Sequence, residues 1–327
     1  MNITHVILYA IVPIIVIMLL GYVSGKKGTF TGEDAKKFNK VVLDYALPAA
    51  LFVSIVDATR EDLVKDLKLT IVATIGIMAC FMLVYFVFRL FKKNTGADAA
   101  VSALISGSPT IGFLGFAVLE PIFGTTPTVA LVVAIVGIVV NAIGIPVGLS
   151  LMNASLEKQQ EAKTGQKPKH ENGWKPVLKA LEQPVAWAPI LAVIWVVAGI
   201  PWPDWLNPSF DLIKGANASM AVFSAGITLS AIKVHIDWQV VLGSIMKMIV
   251  MPAVILVFGL LVHMQPENLK MLVVACALPP AFSGIIIADE YNVYVATGTS
   301  SLALSVLLFI GFCPLWLWLS DIAIGMV

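Results

Sequence analysis

Two stretches of this 327-residue chain set proline and glycine among hydroxyl side chains inside long apolar runs. The first reads Ser106-Gly-Ser-Pro-Thr-Ile-Gly-Phe-Leu-Gly-Phe116, and the second reads Ala275-Cys-Ala-Leu-Pro-Pro-Ala-Phe-Ser-Gly284. Proline removes a backbone donor and pushes the residue before it toward extended geometry, while glycine permits unwinding. Backbone groups freed this way cannot face hydrocarbon, so they must face protein, water or a ligand. Two such helices crossing at mid-depth would aim two half-helix N-termini at one point. Those ends are partly positive and suit an anion. The candidate binding groups are the backbone around Pro109, Pro279 and Pro280, with the hydroxyls of Ser108, Thr110 and Ser283.

Lys247 is the one cation well inside an apolar segment. A buried ammonium is costly unless paired or hydrated, so Lys247 is expected to meet a substrate carboxylate or a salt-bridge partner. Asn141, also within an apolar segment, needs a partner for its amide. Glu120, Asp289 and Glu290 fall at the ends of the two broken stretches, and Asp44 lies near the start of another apolar run. These four carboxylates are the candidates for coupling to Na+ or H+. No resident cofactor or metal is expected. His5, His170, His235 and His263 lie at segment ends or in a linker, and no His-Glu-x-x-His occurs. Gly21–Gly28 lacks the spacing and the Ser/Thr of a nucleotide-binding loop, so ATP is not the direct driver. Ser244 and Lys247, three apart, are the one adjacent Ser/Lys pair suited to an intramembrane hydrolase, and nothing else supports that chemistry. A non-enzymatic carrier leads, and a channel remains the alternative.

The elements that position these residues follow from composition. Hydrophobic residues make up 59% of the chain and charged ones 13%, with a mean hydropathy of +0.92. No soluble fold of this length hides so much apolar surface. A net charge of +1 leaves no basic face for nucleic acid. Cys80, Cys276 and Cys313 sit in apolar runs and read as packed thiols. Runs at 4–24, 39–57, 69–91, 99–122, 128–151, 184–200, 216–234, 238–262, 269–288 and 295–320 are each close to the ~20 residues of a spanning helix. They are too long, and too little alternating, for barrel strands. With the N-terminus outside, the inside loops hold about three times the Lys and Arg of the outside loops. Both termini are therefore expected outside the cytoplasm. Lys214 counts among the outside loop charges. The polar stretch 153–182 reads as a cytoplasmic linker, and Trp202, Trp205 and Trp174 as interfacial anchors.

That linker divides the chain into a first unit (1–152) and a second (183–327). Pro13 and Pro189, Pro109 and Pro279, and Pro146 and Pro314 are each separated by about 170 residues, at matching places in the two units. The expectation is an all-α polytopic membrane protein of ten helices, built as a duplicated five-helix unit. An odd number of spans inverts the second copy, which is the plan of secondary transporters.

Further stretches carry a resemblance. They are Asn39-Lys-Val-Val-Leu-Asp-Tyr-Ala-Leu-Pro-Ala-Ala-Leu-Phe52, Gly112-Phe-Leu-Gly-Phe-Ala-Val-Leu-Glu-Pro-Ile-Phe-Gly124, Ser224-Ala-Gly-Ile-Thr-Leu229, Lys247-Met-Ile-Val-Met-Pro252 and Ala277-Leu-Pro-Pro-Ala-Phe-Ser-Gly-Ile-Ile-Ile-Ala-Asp-Glu-Tyr291. In this order they resemble the auxin efflux carrier family, which includes bacterial malonate and malate carriers and plant PIN-formed auxin carriers. The resemblance implies crossing fourth and ninth spans, as in bile-acid symporters and sodium/proton antiporters. It implies a scaffold from spans 1, 2, 6 and 7 that dimerises, and a moving transport domain from spans 3–5 and 8–10. It places Asn141 facing the crossover. It implies alternating-access transport of malonate or a related dicarboxylate across the plasma membrane. An auxin-like monocarboxylate, or another exported organic acid, is the alternative. Plant carriers flank the first crossover proline with asparagines. Here Ser108 and Thr110 take those places, which favours the bacterial comparison.

Overall fold

The computed structural model describes residues 7–56, 67–91, 94–164, 184–231 and 235–326. Arg60, Lys65, Lys92, Lys93, Trp174, Lys233 and the 165–182 part of the linker lie outside them, as do the side chains of Asp289 and Glu290. The described residues are helical almost throughout, and their one β feature is a single isolated bridge. In chain order the helices are α1 (Val12–Lys26, entered through a π turn Ile7–Ile11), α2 (Gly32–Val56), α3 (Leu67–Arg89), α4 (Gly96–Ser106), α5 (Ile111–Phe123) and α6 (127–164). After the linker come α7 (Pro184–Ala198), α8 (Asn207–Ala231), α9 (Trp238–Leu261), α10 (Pro266–Ala277), α11 (Phe282–Glu290) and α12 (Val295–Gly325).

Local chemistry sets many of the ends. Thr31 with Asp34 and Thr95 with Asp98 form reciprocal capping boxes at the starts of α2 and α4. Thr126 caps α6 and Asp237 caps α9 through side-chain bonds to the third backbone N–H. Pro127 and Pro266 occupy first-turn positions, where a missing N–H costs nothing. Among the described residues six helical runs are long and apolar enough to cross a membrane: α2, α3, α6, Asp204–Ala231, α9 and α12. α1, α4, α5 and most of α7 are apolar but shorter.

Two boundaries differ from expectation. α6 continues to Thr164, so the linker's first part is helical. Glu157, Lys158, Glu161 and Lys163 extend that helix with good helix formers. α8 begins at Asn207, so Lys214 lies inside a helix rather than in a loop. Hydropathy missed this because Asp211 and Lys214 interrupt the apolar run. Trp202, expected as an interfacial anchor, packs with Phe52, Trp195 and Phe210 and donates to Asn207 Oδ1 at 2.6 Å. Trp205 is exposed, and all three cysteines are buried and free.

The helices pack as two groups. α1, α2, α7 and α8 form one, and α3–α6 with α9–α12 form the other. α1 and α8 cross at glycines: a methyl on Gly21 would strike the Phe223 carbonyl, and one on Gly226 would strike the Met18 carbonyl. Small residues at a crossing let two backbones approach closely. The groups meet mainly where α5 packs on α8 and where α6 packs on α2.

Candidate functional site

The isolated bridge lies where the two broken stretches meet. α4 ends at Ser106 and α5 starts at Ile111; α10 ends at Ala277 and α11 starts at Phe282. The intervening residues 107–110 and 278–281 run antiparallel, with Pro109 opposite Pro280. Thr110 N–H donates to the Pro279 carbonyl at 2.9 Å, and Ala281 N–H donates to the Ser108 carbonyl at 3.0 Å. The two prolines therefore occupy the non-hydrogen-bonded pair of the bridge, where their missing donors are not needed. Backbone groups released by the breaks satisfy each other across the gap, in a position buried from every side.

Four helix ends converge here. α5 and α11 present their N-termini and α4 and α10 their C-termini, so opposite partial charges surround the bridge. The Phe113 and Phe282 rings, 5.2 Å apart, tie the first turns of α5 and α11 together. A methyl on Gly284 would come 2.7 Å from the Leu104 carbonyl oxygen, so α11 lies directly on the α4 backbone.

Ser108 and Thr110 are 3% and 2% exposed, and among the described residues Thr110 Oγ1 has no hydrogen-bond partner. Ser283 is half-buried in the first turn of α11. Asn141 lies on the π turn Val139–Gly144 of α6 and donates to the Gly137 carbonyl at 2.9 Å, which satisfies half of its amide locally. Gly144 on the same turn approaches Ser108 Oγ, so this turn borders the first break.

Lys247 is fully buried on the π turn Met246–Val250 of α9. Its Nζ donates to the Cys276 carbonyl at 2.5 Å and contacts Met251 Sδ at 3.2 Å. In an unbroken α10 that carbonyl would take the N–H of residue 280, which is proline. Lys247 supplies the missing donor at the negative end of the half-helix. Among the described residues no carboxylate pairs with it. The expected salt bridge is replaced by a bond to backbone, because the break had already created an orphan acceptor within reach.

Of the coupling candidates, Glu120 pairs with Lys214 at 3.3 Å, across the contact of α5 with α8. Asp44 is half-buried on the π turn Val42–Ala46 of α2. Asp289 and Glu290 end α11.

Sequence reasoning missed three features. Lys214 was placed in a loop. Asn217, one turn further on, was passed over, although its spacing from Lys214 on an apolar helix was legible. A polar cluster between α3, α4, α9 and α12 was also missed. In it Tyr294 O–H donates to Gln239 Oε1 at 2.7 Å, and Gln239 Nε2 donates to Asn94 Oδ1 at 2.7 Å. Burial raises the Tyr294 hydroxyl pKa well above its usual value. Beneath it lies a cavity of about 10 Å³, lined in part by Ser102, Ser106 and Ser301 and large enough for about one water.

The sequence matches the membrane transport protein family model over residues 6–317. It is 50% identical over 310 residues to the uncharacterized transporter YfdV of Escherichia coli (strain K12), covering 95% of this chain and 96% of that one. The chain belongs to the auxin efflux carrier family of membrane transport proteins. An uncharacterized transporter of Methanocaldococcus jannaschii is 24% identical, covering 94% of this chain and 96% of its own length. Auxin efflux carrier component 8 of Arabidopsis thaliana is 23% identical, covering 91% and 93% respectively. Like its relatives, this family member is a multi-pass membrane transporter. Its bridged helix breaks fall inside the matched region.

Proposed function

We propose that the chain is a secondary active transporter moving a small organic anion, malonate or a related dicarboxylate, by alternating access across the plasma membrane. The observation that carries this reading is the antiparallel bridge, which gathers the N-termini of α5 and α11 at one buried point. Two positive helix ends, the unpartnered Thr110 hydroxyl and the neighbouring Ser108, Ser283 and Asn141 suit a carboxylate. The breaks 107–110 and 278–281 stand at equivalent places in two five-span units, which supports an inverted repeat of ten spans.

In this reading α1, α2, α7 and α8 are the scaffold, which dimerises, and the other helices move against it. The apolar side chains exposed on α1 and α7 supply a face for lipid or a second copy. Lys247 acts through the backbone: it holds the second break open rather than touching substrate. Asp44, Glu120, Asp289 and Glu290 are the candidates for coupling to Na+ or H+, with Glu120 paired to Lys214. Lys and Arg distribution orients both termini outside the cytoplasm.

Uptake of labelled malonate into proteoliposomes tests the proposal. Saturable uptake is expected, and Pro109 and Pro280 replaced together by alanine should abolish it in protein that still inserts. Linear, non-saturating flux at channel rates would overturn it.

A further inference from the structure

Lys214 and Asn217 lie three residues apart on α8, on one face of the helix. Counted from Asn207 at 1.5 Å per residue, they are about 10 and 15 Å along it, within its first half. Lys214 Nζ is 3.3 Å from Glu120 Oε1 on α5 and donates to Ser54 Oγ on α2 at 3.1 Å. It also lies 5.7 Å from the centre of the Phe116 ring on α5. The ammonium therefore touches both helix groups where they meet. Asn217 is 1% exposed, and its Nδ2 and Oδ1 are both buried without a partner among the described residues. A native helix seldom buries a whole amide unsatisfied, so such a group needs an explanation.

We propose that Lys214, Asn217 and Ser54 form a carboxylate-binding site at the end of the group interface where α5 finishes and α8 begins, distinct from the bridge. The proposal rests on the reading of the chain as a carboxylate carrier. Lys214 supplies the charge, and Asn217 Nδ2 and Ser54 Oγ supply neutral donors. Glu120 occupies the ammonium while the site is empty. An arriving carboxylate takes its place, and the displaced Glu120 frees α5 from α8. α5 begins at the first break, so arrival of the anion loosens the half-helix that leads to the bridge.

The test is thermal unfolding of the purified full-length protein over a series of malonate concentrations, with acetate as the monocarboxylate arm. A ligand that binds the folded state raises the midpoint, and its concentration dependence gives an apparent affinity. Lys214→Gln should weaken malonate binding at least about tenfold. Asn217→Leu should weaken it comparably while raising the midpoint without ligand, because an unsatisfied amide has gone. Glu120→Gln should tighten binding, because the internal competitor has lost its charge. A purely structural ion pair would instead make Lys214→Gln and Glu120→Gln lower the unliganded midpoint alike and leave affinity unchanged, which overturns the site. If Lys214→Gln does not fold, unchanged affinity in Asn217→Leu and Glu120→Gln overturns it as well. A wild-type protein indifferent to both malonate and acetate overturns the carboxylate reading itself, and this site with it.

Discussion

At the first break the chain passes through Gly107, Ser108, Pro109 and Thr110; at the second it passes through Leu278, Pro279, Pro280 and Ala281. The backbones are equivalent, paired by reciprocal bonds of 2.9 and 3.0 Å. The side chains are not. The first break carries buried hydroxyls, one of them without a partner. The second carries no polar side chain of its own and takes its polar contact from Lys247 on α9, which caps the Cys276 carbonyl. Equivalent geometry therefore serves two ends. The first break keeps hydrogen-bonding capacity in reserve, and the second spends a buried cation on holding its shape.

The largest expected effects test the shared geometry. Gly107→Ala would set a methyl 2.8 Å from Phe81 Cα, and Gly284→Ala would set one 2.7 Å from the Leu104 carbonyl. Backbone cannot yield as a side chain tip does, so each should cost about 1–3 kcal/mol in thermal unfolding. A clear loss at only one of the two would show that the breaks are not mechanically equivalent.

Lys247→Met comes next and separates the breaks. It leaves the Cys276 carbonyl without a donor, at a cost of about 1–3 kcal/mol, partly offset because a buried ammonium is removed too. Uptake should fall sharply while the protein still inserts. Wild-type uptake from Lys247→Met would show that the second break holds without its cap.

Thr110→Val should have the smallest effect on stability, within about 0.5 kcal/mol of wild type or slightly stabilising, because the lost hydroxyl has no partner. Uptake should nonetheless require more substrate for half-saturation. An unchanged half-saturation concentration would mean that the first break holds no reserve for the anion.

Much of this was legible in the residue order. The apolar runs located the helices, and the proline–glycine clusters located both breaks to within a few residues. Charged and amide groups inside helices were harder to read. Lys214 was misplaced because a hydropathy window sees Asp211 and Lys214 as the end of a membrane run, whereas that stretch is the mostly exposed first part of α8, a helix that packs against α2 and α5. Lys247 was rightly seen as buried, but its partner was expected to be a charge. A sequence shows charges and hides backbone acceptors, and the acceptor here was created by a proline 33 positions away.

The sequence by itself determined that this is a helical membrane protein with two interrupted helices, because hydrocarbon tolerates unpaired backbone only where something answers it. Which groups answer was decided by the tertiary structure alone. The register sets Pro109 against Pro280, so two residues without donors face each other at the one pairing position that needs none. The same packing brings Lys247 to a carbonyl and Lys214 to both helix groups. Those contacts join residues far apart in the chain, and their distances depend on how whole helices stack, which no local pattern of residues records.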